Sequence, residues 1–222
     1  MTPIRHHDDL LHRFSEGWID ISRPLRPGTP VWPGDRPFEI EQRHEGGLVM
    51  GSYCTTCHIG THLDAPRHLD PTAAAVEGLP LERCVGPAEV VRVVPSAGVV
   101  TVRDLPTAYR PSAPRVLMRT DSYPVDAAID QGWTGLSPDL VHWLADRGVE
   151  LVGVDTPSVD VLSSHDLPSH HALLERGMTW VEGLWLSEVE AGPCLLFALP
   201  ILLEGADAAP VRAILKPLHF DP

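Results

Sequence analysis

The chain has 222 residues, of which 43% are hydrophobic and 21% are charged, and this is enough for one domain with a sizeable core. Acidic residues outnumber basic ones by 30 to 17, so the formal net charge is −13. A surface this acidic argues against nucleic acid or an anionic membrane as the partner and leaves a small molecule. The start of the chain lacks a signal-peptide pattern, and no run approaches the roughly 18 apolar residues of a membrane helix, so we expect a cytoplasmic protein.

The predicted elements begin after a polar N-terminal extension, residues 1–17, and the remaining residues, 18–222, are predicted to form one domain. A short strand starts near Trp18, and a loop punctuated by proline and glycine follows it. Further along, continuous apolar runs rich in valine and leucine are typical of strands that are covered on both faces of a sheet. The predicted strands are 38–42, 48–59, 88–94, 115–119, 149–154, 194–199 and 211–216.

Two helices are predicted in the second half of the chain. The first has Ser137 as its N-cap and ends at Gly148, directly before the strand at 149–154. The second runs from His170 to Arg176 and is ended by Gly177. This mixture of helices and buried strands predicts an α/β domain with a mixed β-sheet.

Residues 53–70 read YCTTCHIGTHLDAPRHLD, and two interpretations of this stretch both use His58. The CxxCH spacing of Cys54, Cys57 and His58 is that of a c-type haem attachment site, and it also fits a thiol redox pair. If residues 52–59 are extended, however, Cys54 and His58 share one face of the strand and Cys57 lies on the other. Because this parity separates the two thiols, it favours a strand that delivers a histidine ligand to a metal site.

The second interpretation is a metal site built from His58, His62, Asp64 and His68. Imidazole and carboxylate ligands suit zinc or manganese, and Gly60 can adopt the dihedrals that fold two imidazoles toward one ion. The alternative is a solvent-facing polar loop, which the chain's twelve histidines make more frequent by chance.

A second polar cluster follows the predicted strand at 149–154, and it contains Asp155, His165, His170, His171 and Glu182. Strand ends followed by loops are where α/β folds place their chemistry. The alternative is that these residues have ordinary structural roles, with a turn residue at Asp155, a helix start at His170 and a surface strand at Glu182. Spacing alone does not pair this cluster with the first one.

Residues 58–68, HIGTHLDAPRH, match the signature HxGTHxDxPxH, and through it the chain resembles the cyclase-like metal-dependent hydrolases. Further stretches similar to that family follow in order: PVWPGD at 30–35, DTPSVD at 155–160, PSH at 168–170, VEGL at 181–184 and GADAAPVRAIL at 205–215. The resemblance covers about residues 18–217. It implies a single domain with a swivelling β/β/α fold, in a homodimer or a higher homo-oligomer.

The resemblance also implies a set of metal ligands. His58, His62 and Asp64 would hold one ion, with Asp64 bridging to a second ion that His170 would bind. Glu182 would reach one or both ions. Relatives that act on isatin tend to carry an amide in place of Glu182 and a single ion. The carboxylate here therefore favours two ions per subunit, Zn²⁺ or else Mn²⁺.

Two further roles and an activity follow from the same resemblance. His68 would be the general acid and base, with orientation of a ligand as its alternative role, and Trp32 would pack against the aromatic part of an aryl amide substrate. The implied reaction is hydrolysis of N-formyl-L-kynurenine to L-kynurenine and formate by a metal-activated water. The alternatives are the opening of a lactam such as isatin, hydrolysis of another small amide or ester, and a non-catalytic metal-binding module.

Overall fold

Strands dominate the chain, and a computed structural model describes residues 17–95, 97–124 and 127–218. The predicted N-terminal extension, residues 1–17, lies outside this part apart from Gly17. Within the described residues the strands are β1 Ile19–Asp20, β2 Glu39–Glu45, β3 Leu48–Cys54, β4 His62–Asp64, β5 Val85–Arg92, β6 Val99–Val100, β7 Arg115–Arg119, β8 Gly135–Leu136, β9 Leu151–Val154, β10 Thr179–Glu182, β11 Gly192–Phe197, β12 Ala208–Pro210 and β13 Ile214–Pro217.

One mixed sheet contains nine of these strands, in the order β1-β13-β11-β5-β7-β9-β10-β4-β12. Its centre, from β5 through β7 and β9 to β10, is parallel. The strands on both flanks are antiparallel. β2 and β3 form a separate hairpin, and β6 pairs with β8. The α/β class with a mixed sheet, predicted from the sequence, is confirmed.

The core lies on both faces of this sheet, as the continuous apolar strands predict. Every residue of β9 is buried. Leu151 packs with Leu117 in one apolar cluster, whereas Val152 packs with Val116 in the other, because successive side chains on a strand point to opposite faces.

Two helices, α1 (Pro138–Ala145) and α2 (Pro168–Glu175), add to the second of these clusters. α1 begins as predicted, with the Ser137 hydroxyl accepting a hydrogen bond from the Leu140 N–H. α2 begins two residues before the predicted start, and Asp160, from the loop that precedes the helix, accepts hydrogen bonds from the Ser169 and His170 N–H groups. Among the described residues, no helix has the length and apolar character to cross a membrane.

The sequence prediction was wrong at two places that matter for the site. The predicted strand at 48–59 ends at Cys54, and residues 55–61 lie outside any strand. β4 was not predicted, and β10 was considered only as a surface strand, although both are buried in the main sheet. Both strands are short and owe their conformation to their neighbours more than to local propensity.

Candidate metal centre

Two neighbouring strands, β4 and β10, form the floor of a buried polar cluster. Their antiparallel register places Glu182 opposite His62 and Trp180 opposite Asp64. Residues that lie opposite each other, or two apart on one strand, share a face of the sheet, so these four side chains project to the same side. All four are at most 4% exposed.

A close approach of two glycines fixes the turn that leads into β4. Gly60 and Gly183 both have positive φ, at 58° and 67°, and a Cβ on Gly183 would lie 1.9 Å from the Gly60 carbonyl oxygen. The Thr61 hydroxyl, between them, donates a hydrogen bond of 2.6 Å to the Gly183 carbonyl. This hydrogen bond joins the end of β10 to the turn. His58, which lies just before the turn, contacts Asp64 in the cluster.

The structure brings together all five residues that the sequence predicted as metal ligands. His58 Nδ1 lies 3.0 Å from Asp64 Oδ1, and His62 Nε2 lies 3.5 Å from the same oxygen. His62 Nε2 is also 3.3 Å from Glu182 Oε2. His170 Nε2 lies 3.6 Å from Asp64 Oδ2 and 3.3 Å from Glu182 Oε1. Three imidazoles therefore aim a ring nitrogen at two buried carboxylates.

The opposite ring nitrogen of each imidazole faces an acceptor outside the cluster. His170 Nδ1 lies 2.7 Å from Asp160 Oδ2, and His62 Nδ1 lies 3.2 Å from the Gly60 carbonyl oxygen. A neutral imidazole that donates through one nitrogen presents a lone pair on the other. The same arrangement orients histidine ligands in known metal sites, so the inner nitrogens are prepared for a cation.

His58 is oriented in the same way, by Asp207. Its Nε2 lies 3.0 Å from Asp207 Oδ2, which leaves Nδ1 directed at Asp64. The side chain of His68, from the 3-10 turn Pro66–His68, lies beside it with 4.3 Å between the ring centroids. His68, the predicted acid and base, is 28% exposed and thus lies at the rim of the cluster.

The donor set fits a divalent cation. Trp180 Nε1 donates to Asp64 Oδ2 at 3.0 Å, whereas Asp64 Oδ1 is buried without a hydrogen bond of good geometry, although imidazole nitrogens surround it. A buried carboxylate oxygen in this state is costly unless a further partner satisfies it. Two groups of three residues have ligand atoms within 4.8 Å of one another, His58 with Asp64 and His68, and His62 with Asp64 and Glu182. Asp64 belongs to both groups, as a bridging ligand would.

In this cluster, burial and the charges of neighbouring groups shift the pKa values in opposite directions. Burial would raise the pKa of Asp64, but its close contacts with His170 and His58 hold that pKa well below its usual value. Burial also disfavours the His58 imidazolium, yet contacts with Asp64 and Asp207 raise the pKa of His58 to about 9. The pKa of His170 is raised against burial by its carboxylate neighbours. In the metal-free protein, protons on His58 and His170 offset the negative charge of the buried carboxylates.

We expect the metal-free protein to lose stability as the pH rises from 6.5 to about 9. The folded pKa of His58, about 9, lies above its ordinary value of 6.5, so its contribution to the free energy of unfolding is complete below pH 6.5. That contribution disappears as the pH rises through the folded value. Urea unfolding of chelator-treated protein across this range measures the effect. The variant His58→Gln should show a shallower decline, and a flat or rising wild-type profile would contradict the assignment.

Trp32, predicted to contact the substrate, is connected to the cluster through Trp133 and Asp160. Its ring is 38% exposed and packs edge-to-face on Trp133, with 5.9 Å between the centroids. Trp133 Nε1 donates at 2.8 Å to the carbonyl oxygen of Asp160, the residue that orients His170. The aromatic pair is thus linked to the cluster through one residue.

A cavity of about 230 Å³ adjoins the loop that carries Trp32. Its lining includes Thr29 and Pro30 from that loop, Tyr123 and Ile129 from a second loop, and the paired glycines Gly60 and Gly183. The seven predicted site residues, all of them in the described part of the chain, are not in this lining. The cavity therefore borders the turn that leads into β4, at the two glycines.

Sequence reasoning missed Asp160 and Asp207 as functional residues. Both lie in stretches that resemble the family, DTPSVD and GADAAPVRAIL, but their spacing from the histidines gives no reason to pair them. Asp155, considered as a candidate, has a structural role instead. Its carboxylate accepts hydrogen bonds from the hydroxyl and N–H of Thr120 and from the Asp121 N–H.

The cysteine pair has a different geometry from the one predicted. Cys54 is exposed at the end of the hairpin, so it does not share a strand face with His58. Cys57 is partly buried, and both cysteines are free thiols. Burial and the charge of Asp207 raise the pKa of Cys57, the opposite of what a reactive thiolate requires.

A buried cluster of imidazoles and carboxylates beside two strands of a mixed sheet is the kind of site that a metal-dependent hydrolase requires. The model of the putative cyclase family matches residues 19–161, and the chain belongs to this family. A kynurenine formamidase from Salinibacter ruber (strain DSM 13855 / M31) is 44% identical over 207 residues, which cover 89% of this chain and 96% of that protein. The family predicted from the sequence is confirmed.

Solved structures agree with this fold. A predicted metal-dependent hydrolase from Bacillus stearothermophilus superposes with a TM-score of 0.73 at 26% identity, over 89% of this chain and 97% of that one. Isatin hydrolase A from Ralstonia solanacearum gives a TM-score of 0.74 at 24% identity, over 90% and 92% of the two chains. At that identity the second likeness supports the fold alone.

Proposed function

We propose that this protein is a metal-dependent amidohydrolase that converts N-formyl-L-kynurenine to L-kynurenine and formate. The observation that carries the proposal is the buried Asp64, whose unsatisfied oxygen lies among imidazole nitrogens. The 44% identical kynurenine formamidase supports the choice of substrate. Glu182 also supports the proposed formamidase activity, because this carboxylate contacts both His62 and His170 and adds a second anionic ligand.

Two divalent ions, Zn²⁺ or else Mn²⁺, are proposed to occupy the cluster. His58, His62 and Asp64 would hold one of them, while His170 and Glu182 would hold the other with Asp64 shared between the two. Ions bound there would supply an activated water at neutral pH and polarise the amide carbonyl. The protein's part is to direct the inner nitrogens of the three histidines toward the ions and to exclude bulk water from the buried ligands His62, Asp64, His170 and Glu182.

His68 is proposed to supply the proton for the leaving group. Its side chain is 28% exposed, and its ring centroid lies 4.3 Å from that of His58 and 5.8 Å from that of His170. When the C–N bond of the formamide breaks, the arylamine nitrogen needs a proton, and an imidazolium at the rim can donate it. Trp32 and Trp133 offer an apolar edge against which the aryl ring would pack.

Activity on two substrates, measured with metal content, tests the proposal. Protein purified without chelator should contain Zn²⁺ or Mn²⁺ and should hydrolyse N-formyl-L-kynurenine much faster than isatin. Chelation should remove this activity, and either ion should restore it. Rapid opening of isatin without turnover of the formamide would instead establish a lactam hydrolase. Bound metal with neither reaction would support a non-catalytic module.

A double variant tests the remaining redox alternative. Cys54→Ser with Cys57→Ser removes both thiols of the CxxC stretch while leaving the histidines in place. Full hydrolase activity in this variant would exclude a thiol role, as the raised pKa of Cys57 leads us to expect. Loss of turnover with normal metal content would instead assign a function to the thiols.

We further propose that the protein works in the cytoplasm as a homodimer or higher homo-oligomer. The hairpin of β2 and β3 is exposed along both of its seven-residue strands. Its apolar side chains Ile40, Leu48, Val49 and Tyr53 are 49–67% exposed. An exposed apolar surface of this kind supports pairing with a second copy. Light scattering on the purified protein measures the mass that decides it.

A further inference from the structure

We infer that Asp207 is a positioning residue that serves two histidines at once, the candidate ligand His58 and the candidate proton donor His68. The part that concerns His58 depends on the metal centre, and the part that concerns His68 rests on the proposed function. Asp207 lies at the end of the loop between β11 and β12, far in sequence from both histidines.

A single carboxylate oxygen faces both imidazoles. Asp207 Oδ2 lies 3.0 Å from His58 Nε2 and 3.5 Å from His68 Nδ1. When His58 donates through Nε2, the lone pair of its Nδ1 is directed at Asp64. When Nδ1 of His68 faces the carboxylate, Nε2 is the nitrogen left for proton transfer. One side chain thereby selects the tautomer of a ligand and the orientation of its catalytic neighbour.

The backbone, and not the carboxylate, holds Asp207 at the rim. Three hydrogen bonds fix its loop: Ala65 N to Asp207 O at 2.8 Å, Val76 N to Ala206 O at 3.0 Å, and Gly205 N to Glu77 Oε2 at 2.9 Å. The next residue, Ala208, starts β12 opposite Asp64. Because the Asp207 side chain is 44% exposed, its truncation leaves the packed core intact.

Asp160, unlike Asp207, both orients a histidine and supports the fold. Asp160 orients His170 in the same way, but it also caps α2 and is buried. Replacing Asp160 would disturb the helix together with the ligand. The side chain of Asp207 is partly exposed and contacts His58 and His68, so its variants test the positioning of these histidines without disturbing a helix.

The test compares Asp207→Ala and Asp207→Asn with wild type in two measurements. The first is the affinity of chelator-stripped protein for Zn²⁺, from competition with a chromophoric chelator. The second is kcat and KM for N-formyl-L-kynurenine with saturating metal. Loss of an outer partner of a ligand typically costs about 10- to 100-fold in metal affinity or activity. We expect Asp207→Ala to lose this much in Zn²⁺ affinity and in kcat, with KM nearly unchanged.

Asp207→Asn should recover most of the Zn²⁺ affinity, because an amide oxygen still accepts the His58 Nε2 proton. It should recover less of kcat, because a neutral amide holds a protonated His68 less well. Asp70→Ala is the matched control, since Asp70 is an exposed aspartate just after His68 whose carboxylate accepts from Thr72. It should leave both measurements unchanged. Thermal unfolding of the metal-free variants should show one cooperative transition, as in wild type, which establishes that each variant is folded.

Wild-type Zn²⁺ affinity and kcat in a correctly folded Asp207→Ala variant would overturn the inference. The link to His68 has its own test, because the kcat effect of Asp207→Ala should shrink when His68 is already alanine. Equal effects in both backgrounds would overturn that link. If wild type fails to hydrolyse N-formyl-L-kynurenine, the proposed function fails, while the Zn²⁺ affinities still decide the role of Asp207.

Discussion

Replacing Asp64 with alanine is expected to remove bound metal and activity together. Its two oxygens face imidazoles on both sides of the cluster, so the variant loses the ligand that the two proposed ions share, although Glu182 remains in contact with His62 and His170. Metal ions contribute several kcal/mol of transition-state stabilisation, and each 1.36 kcal/mol is a factor of ten. We therefore expect kcat/KM to fall by about a thousandfold or more, with metal content measured by mass spectrometry falling in parallel.

Two further variants make this result specific to the centre. Asp64→Asn keeps the shape of the side chain and its acceptor for Trp180, so a folded variant without metal can be expected. Asp155→Asn changes another buried aspartate, one that bonds Thr120 and Asp121 outside the centre. It should lower stability while each folded molecule keeps its metal. Full occupancy of both metal positions in Asp64→Ala would refute the bridging role.

Replacing His68 with alanine should have the opposite signature, normal metal content with little turnover. General acid catalysis by a positioned side chain contributes on the order of a hundred- to ten-thousand-fold, and kcat is expected to fall within that range. The proton is needed only as the C–N bond breaks, so KM should change little. Single-turnover kinetics on the metal-loaded variant measure the loss.

His171→Ala is the matched control for His68, because His171 is an exposed histidine on α2 next to a candidate ligand. It should behave as wild type. Near-normal turnover in metal-loaded His68→Ala would remove His68 from the chemistry. Loss of metal in the same variant would make it a ligand, a role that its grouping with His58 and Asp64 would allow.

The sequence predicted the candidate site better than it predicted the strands that hold it. His58, His62 and Asp64 fall within one signature of eleven residues, and the resemblance added His170 and Glu182 from two distant stretches. The helix at Ser137 and the strand at 115–119 were also predicted, because their start and apolar pattern are local. Such features depend on neighbours in the chain, which a sequence displays directly.

The features that sequence reasoning missed depend on partners distant in the chain. β4 has three residues and is a strand only because β10 and β12 pair with it on both sides. The left-handed Gly60 turn, held against Gly183, lies between the end of β3 at Cys54 and the start of β4, so His58 reaches the site from a turn and not from the predicted strand. Asp207 meets two histidines through a loop whose position is set by backbone bonds. Neither periodicity nor spacing encodes these contacts.

The position of β4 between β10 and β12 has a consequence for the order of assembly. Asp64 lies opposite Trp180 on one side and Ala208 on the other, so its surroundings are complete only after Ala208 has been synthesised, 144 residues later. Pairings between such distant segments form late, because closing long loops costs entropy before the contacts repay it. A metal ion that needs all of these ligands cannot nucleate folding. It would be captured by an almost finished domain, and its retention would report that the last strands are in place.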